Sequence, residues 1–106
     1  MRPEESFQLA VIDLAHVHGW VASHFRKART KRGWVTAVGA DGKGWPDLVL
    51  CHERRGRILV RELKVPPNTC TPEQLGWLRV LRACGVDAGV WTPGDWDTIE
   101  DTLAPD

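Results

Sequence analysis

The chain has no tyrosine, one methionine and two phenylalanines, yet six tryptophans among its 106 residues. Its cysteines are few and ill-spaced: Cys51, Cys70 and Cys84 are odd in number and form no CxxC pair. A disulfide framework is thereby excluded, and free, partly buried thiols are the better reading over a zinc site built with His16, His18, His24 or His52. Free thiols suit a reducing compartment. No uninterrupted apolar run approaches the roughly 20 residues of a membrane span, and Glu4 and Glu5 precede any apolar segment, so neither a membrane span nor a secretory leader is expected. The expected location is the cytoplasm. Repeats and low-complexity segments are missing, and 42% apolar residues suit a single soluble domain spanning 1–106 with one modest core.

Net charge is zero, from 14 basic and 14 acidic residues, but the distribution is lopsided. No lysine or arginine follows Arg82, while six of the acids do, which leaves a formal +6 on the first 82 residues (14 basic against 8 acidic). The densest basic cluster is Arg26, Lys27, Arg29, Lys31 and Arg32, and Lys43 follows in the same glycine-rich segment. A second cluster, Arg54, Arg55, Arg57 and Arg61, surrounds a turn at Gly56. A neutral chain with a basic front end suits contact with a phosphate backbone, and the first cluster is the stronger candidate for it.

Periodicity places the elements. Residues 4–18 read as a helix with Phe7, Ala10, Val11, Leu14 and His18 on one face and Leu9, Ile12 and His16 widening the apolar arc; Gly19 stops it. Trp20 to Phe25 reads as a strand with Trp20, Ala22 and His24 on one face. Residues 26–44 read as a long loop, with one short element between Trp34 and Val38. Leu48 to Cys51 is apolar throughout and predicts a central strand buried on both faces; Arg57 to Lys64 is the next strand. Thr71-Pro72-Glu73-Gln74 opens a helix with a capping box, Thr71 as N-cap and Gln74 as its partner. Leu75, Leu78, Val80 and Leu81 give that helix its stripe, and Gly85 ends it. A strand at 86–91 and a short acidic helix at about 95–103 complete the chain. The order α-β-β-β-α-β-α predicts an α/β fold: a mixed β-sheet flanked by helices, with a hairpin and a parallel β-α-β crossover.

The chemistry concentrates in 45–64. Asp47 and Glu62 each border a short strand, so a hairpin can bring both carboxylates to one end of the sheet. Glu62 and Lys64 are two apart and share a strand face with Ile58 and Val60, where an unpaired charge is costly. Two acids and an amine suit a hard cation, which takes one or two carboxylates plus water and phosphate oxygens, and such a set can hydrolyse a phosphodiester. The bland alternative is an edge-strand ion pair.

Pro46-Asp47 with Glu62-Leu63-Lys64 resembles the PD-(D/E)XK nucleases. Together with Gly44-Trp45-Pro46-Asp47-Leu48-Val49-Leu50, Val60-Arg61-Glu62-Leu63-Lys64, Thr71-Pro72-Glu73-Gln74 and Val90-Trp91-Thr92-Pro93, the chain resembles the stand-alone VRR-NUC nucleases of phages and bacteria. Glu4-Glu5-Ser6-Phe7-Gln8 resembles the first helix of that group. The resemblance implies a restriction-endonuclease-like fold and a metal-dependent DNA endonuclease acting in the cytoplasm. By it, Asp47, Glu62 and the Leu63 backbone carbonyl hold Mg²⁺ or Mn²⁺, a first-helix acid (Glu4 ahead of Glu5) assists, Lys64 supports the attacking water, and Gln74 lies near the site. It further implies a homodimer acting on branched DNA such as four-way (Holliday) junctions. A non-catalytic nucleic-acid-binding module and a nuclease subunit of a larger restriction or repair assembly are the competing readings. His24 as a phosphate contact, and Trp34 and Trp45 as base-stacking residues, are subsidiary expectations.

Overall fold

The computed structural model describes residues 2–105 apart from 26–27, 31–32 and 36–38, with side chains described outside 26–38. Helix α1 (Pro3–Val17) starts with proline in its first turn, where a missing N–H costs nothing, and carries Glu4 and Glu5 at its positive end. Its buried residues are Phe7, Val11, Ile12 and Ala15. The buried arc is narrower than the sequence predicts, because Leu9 and His16 face outwards. Only one side of this helix meets the sheet. Gly19, at φ +85°, turns the chain. Strand β1 (Val21–His24) follows, with Trp20 just before it. The Trp20 indole is buried and its N–H donates to the Leu103 carbonyl at 3.0 Å, tying the start of the sheet to the far end of the chain.

The glycine-rich segment is more structured than expected. Instead of one element near Trp34–Val38, it holds a two-stranded antiparallel ribbon, β2 (Ala28–Thr30) and β3 (Gly33–Val35). A two-residue connection suffices for a hairpin, and the spacing conceals it because neither strand has apolar alternation.

β4 (Leu48–His52) and β5 (Arg57–Leu63) form the expected hairpin, and β5 pairs in parallel with β6 (Asp87–Trp91) through α2 (Pro72–Ala83). The main sheet runs β1-β4-β5-β6, mixed as predicted. A 3₁₀ turn (Pro93–Asp95) leads into α3 (Trp96–Leu103).

The sheet separates two cores. On one face Leu48, Leu50, Leu59 and Trp91 pack against Phe7, Val11 and Ala15 of α1 and Ile99 and Leu103 of α3. Each such aliphatic side chain contributes roughly 1.5–3 kcal/mol by leaving water. On the other face a smaller cluster, Val60 and Ala88 beneath Leu78, receives α2. The central strand β4 is therefore less enclosed than its apolar run suggests. Leu48 and Leu50 are fully buried, but Val49 and Cys51 are half-exposed, because α2 covers only part of that face. Leu75 and Val80 of α2 likewise point to solvent.

Candidate active site

Sheet register brings the chemistry together. His24 pairs with Leu48, and Leu48 with Arg61. One step further along the same register, Phe25, Asp47 and Glu62 fall in a single row across three adjacent strands. Alternation puts them on the α2 face. Two hydrogen bonds extend the pairing to this row. The Phe25 N–H donates to the Asp47 carbonyl and the Leu63 N–H donates to the Asp47 carboxylate, both at 3.0 Å. Pro46 is fully buried and anchors the approach to Asp47.

Glu62 is 1% exposed. Burying a carboxylate is expensive unless it is paired and hydrogen-bonded, and two groups answer it. Lys64, on the same face, brings its Nζ to 3.9 Å from Glu62 Oε1. The Lys64 N–H donates to the Trp91 carbonyl at 3.0 Å, fixing this residue against the end of β6. The face also continues the apolar row as expected at Val60, whereas Ile58, at the uncovered end, is exposed.

Gln74 supplies the second answer. The capping box forms as the sequence predicts: Thr71 Oγ1 accepts from the Gln74 N–H at 3.2 Å, and Gln74 Oε1 accepts from the Thr71 N–H at 2.8 Å. The remaining amide nitrogen, Nε2, donates to Glu62 Oε1 at 3.4 Å. One side chain thus closes the helix and touches the buried acid. The helix start is held close by Gly44, at φ +88°, where a Cβ would lie 2.6 Å from the Glu73 carbonyl carbon. Only glycine allows that backbone approach.

Cys70 joins this group, and sequence reasoning missed it. Burial pushes its thiol pKa up, the nearby Glu62 and Asp47 carboxylates push the same way, and Lys64 opposes them. Its sole signal in the sequence is position: it immediately precedes the capping box whose glutamine reaches Glu62.

Other candidates stand apart. Glu4 is exposed and its Oε1 accepts from Asn68 Nδ2 at 2.6 Å, at the loop leaving β5; Glu5 is also exposed. Among the described residues no three His, Cys, Asp or Glu side chains gather closely enough to hold a metal ion by themselves. His24 lies beside Ala22 and Leu48 on the α1 face, with the sheet between it and the carboxylates. Lys43 is exposed and pairs with Glu73 at 3.5 Å, a surface contact of small energetic weight. The Glu73 carboxyl is held below its usual range by its backbone hydrogen bond and then by Lys43. Arg26, Lys27, Lys31 and Arg32 lie outside the described residues, as do the side chains of Arg29 and Trp34.

The second basic cluster has a structural task. Arg61 is 7% exposed, lies over the Trp91 ring at 4.7 Å and meets Asp87 Oδ1 at 2.8 Å. Arg55 donates to the Leu103 and Ala104 carbonyls at the end of α3 and covers Trp20, and Arg57 covers the same ring. Planar guanidinium groups suit this stacking, and these three hold elements together.

The donor set fits a hard divalent cation. Two carboxylates side by side, one of them buried and faced by the Lys64 ammonium, are the arrangement Mg²⁺ accepts when waters and phosphate oxygens complete its shell. A thiol or imidazole cluster for a softer metal is absent among the described residues.

Against known proteins, the VRR-NUC domain model matches residues 13–93. The chain belongs to the VRR-NUC domain family, a family of nuclease domains. The part matched to the VRR-NUC domain contains Asp47, Glu62, Lys64 and Gln74, and begins after Glu4 and Glu5. A solved VRR-NUC domain chain is similar at 20% identity and TM-score 0.64, covering 94% of this chain and 92% of that one. The Holliday junction resolvase Hjc of the archaeal hyperthermophile Archaeoglobus fulgidus is similar at 18% identity and TM-score 0.51, over 84% of this chain and 69% of that one. Both likenesses are of fold. No curated protein sequence matches the chain. Among the described residues of this VRR-NUC domain, no helix is long and apolar enough to cross a membrane.

Proposed function

We propose that this VRR-NUC domain is a metal-dependent DNA endonuclease, selective for branched DNA such as four-way junctions and working in the cytoplasm. The observation that carries the reading is the placement of Asp47, Glu62 and Lys64 on one sheet face, with the Lys64 amine 3.9 Å from a carboxylate that is almost wholly buried. A purely structural ion pair would not require the adjacent second acid.

Asp47, Glu62 and the Leu63 carbonyl would hold Mg²⁺ or Mn²⁺, with Glu4 assisting through water. The ion supplies a lowered pKa for bound water and neutralises charge on the phosphate. The Leu63 N–H orients the Asp47 carboxylate. Gln74 steadies Glu62 while capping its own helix. Lys64 keeps positive charge where the attacking water and the scissile phosphate meet. Arg26, Lys27, Arg29, Lys31, Arg32 and Lys43 would contact the phosphate backbone, which positions DNA without reading sequence. Branched-DNA selectivity is supported by the fold shared with a Holliday junction resolvase. A symmetric junction calls for paired cuts, which a two-fold homodimer provides. Val17 and Val21, exposed at 76% and 66%, are apolar surface that such a partner would cover.

The test is cleavage of a labelled four-way junction and a matched linear duplex in Mg²⁺, Mn²⁺ or EDTA, by wild type, Asp47→Asn and Lys64→Ala. Cutting of the junction that needs metal and disappears in both variants is expected. Equal cutting of both DNAs would remove the branch selectivity. Binding without cutting in any metal would sink the enzyme in favour of a binding module.

A further inference from the structure

The reaction outlined above makes no use of the aromatic rings beside it. Phe25, Trp45 and Trp77 line one open depression of about 420 Å³, together with the segment 39–42. None of the three belongs to either buried core, and Phe25 is 44% exposed. Trp45 and Trp77 meet edge to face, centroids 4.9 Å apart at 80°. The Trp77 indole N–H donates to the Asp41 carbonyl at 3.0 Å, so its one polar group is satisfied and its orientation fixed.

The depression is built on the elements that place the acids. Phe25 is the lateral neighbour of Asp47 in the row that continues to Glu62, and its N–H is bonded to the Asp47 carbonyl. Trp45 lies two residues before Asp47. Trp77 lies three residues after Gln74, on the same helix. Apolar side chains with no place in a core normally scatter over a surface. Three aromatic rings converging next to a carboxylate pair need an apolar, flat occupant held close to a phosphate. A nucleobase has that shape, and it is delivered by the chain that carries the phosphate.

We infer that Phe25, Trp45 and Trp77 form a pocket for one nucleobase lifted out of the DNA stack beside the cut site, and thereby favour DNA with an unpaired base over intact duplex. The inference rests on the DNA-cleaving reading for its substrate. Stacking on an aromatic ring tolerates any base, because every base has a π face. Selectivity arises from the cost of extrusion, which is least for a base already unpaired. Branch points and bulges supply such bases, and a fully paired duplex does not.

Binding tests this without cutting. The probe is a duplex bearing one bulged 2-aminopurine nucleotide, compared with the same duplex carrying an abasic bulge, both titrated with the full chain in Ca²⁺. The base-bearing DNA should bind roughly 5- to 150-fold tighter, the range alanine replacement of a stacking ring spans, and its fluorescence should be quenched. Phe25→Leu should remove both effects, whereas Trp45→Phe, which keeps a ring, should retain them; thermal melts verify that each variant is folded. Equal affinity of wild type for the two DNAs overturns the inference. So does a preference that survives in folded Phe25→Leu and Trp45→Leu. Free adenosine monophosphate should compete only weakly; competition at the affinity of the DNA would make this a nucleotide site and overturn it too. Should the protein cut no DNA yet keep the base preference, the nuclease reading fails and the pocket stands.

Discussion

Gly44→Ala tests the contact that brings the two halves of the site together. Gly44 sits at φ +88° and directly precedes Trp45-Pro46-Asp47. An added Cβ would lie 2.6 Å from the Glu73 carbonyl carbon and 2.8 Å from the Gln74 nitrogen. Both are backbone atoms of the α2 first turn, so no side chain can swing aside. Left-handed backbone costs a non-glycine residue about 1–2 kcal/mol, and forcing a packed contact apart costs about 1–3 kcal/mol. The expected loss is therefore about 2–5 kcal/mol, from a domain whose whole stability is roughly 5–15 kcal/mol. Gly56 provides the control: at φ +61° it carries the same backbone strain, but its Cβ would meet nothing within 4 Å. Gly56→Ala should lose only the first contribution. Urea unfolding reads both variants through their midpoints at unchanged slope. Gly44→Ala should be the less stable by about 1–3 kcal/mol, with weakened cleavage because Gln74 moves away from Glu62. A Gly44→Ala variant no less stable than Gly56→Ala would refute the close approach.

Other consequences follow from the same geometry. Glu62→Gln should cost about 1–3 kcal/mol in metal-free buffer, below the range of a fully buried pair, because it leaves the partly exposed Lys64 ammonium without its carboxylate; Mg²⁺ or Mn²⁺ should raise the melting temperature of wild type but not of this variant, and an equal rise would remove Glu62 from the metal set. Asp87→Ala should cost about 2 kcal/mol, below the range of a fully buried pair, because Arg61 is buried but Asp87 is half-exposed; urea unfolding measures it, and no loss would show that the carbonyl bonds of Arg61 suffice. The raised pKa of Cys70 leaves less thiolate at a given pH, so iodoacetamide at pH 8 should label exposed Cys84 well before Cys70. Labelling of Cys70 should accelerate only at higher pH, and a mass-spectrometric time course with the opposite order would contradict its burial beside two acids.

The sequence by itself determined the element order, the capping box at Thr71–Gln74, the hairpin around Gly56 and the chemical kind and spacing of Asp47, Glu62 and Lys64. These are local matters: apolar periodicity, glycine and proline punctuation, and a two-residue strand repeat act over a few neighbours. Tertiary structure decided what depends on distant segments meeting. Arg55, Arg57 and Arg61 look like a phosphate patch along the chain, yet stack on Trp20 and Trp91 and bind Asp87 and the end of α3. His24 alternates correctly but falls on the α1 face, away from the acids. Gln74 reads as a cap, and only the packing of α2 over β5 gives its second nitrogen to Glu62. Cys70, Phe25 and Trp77 carry no motif, and Trp45 reads in the sequence only as a stacking candidate with no partners named. Their groupings exist because sheet register and one glycine-mediated approach bring β1, β4 and α2 to the same place, and register is a property of strands paired across the chain.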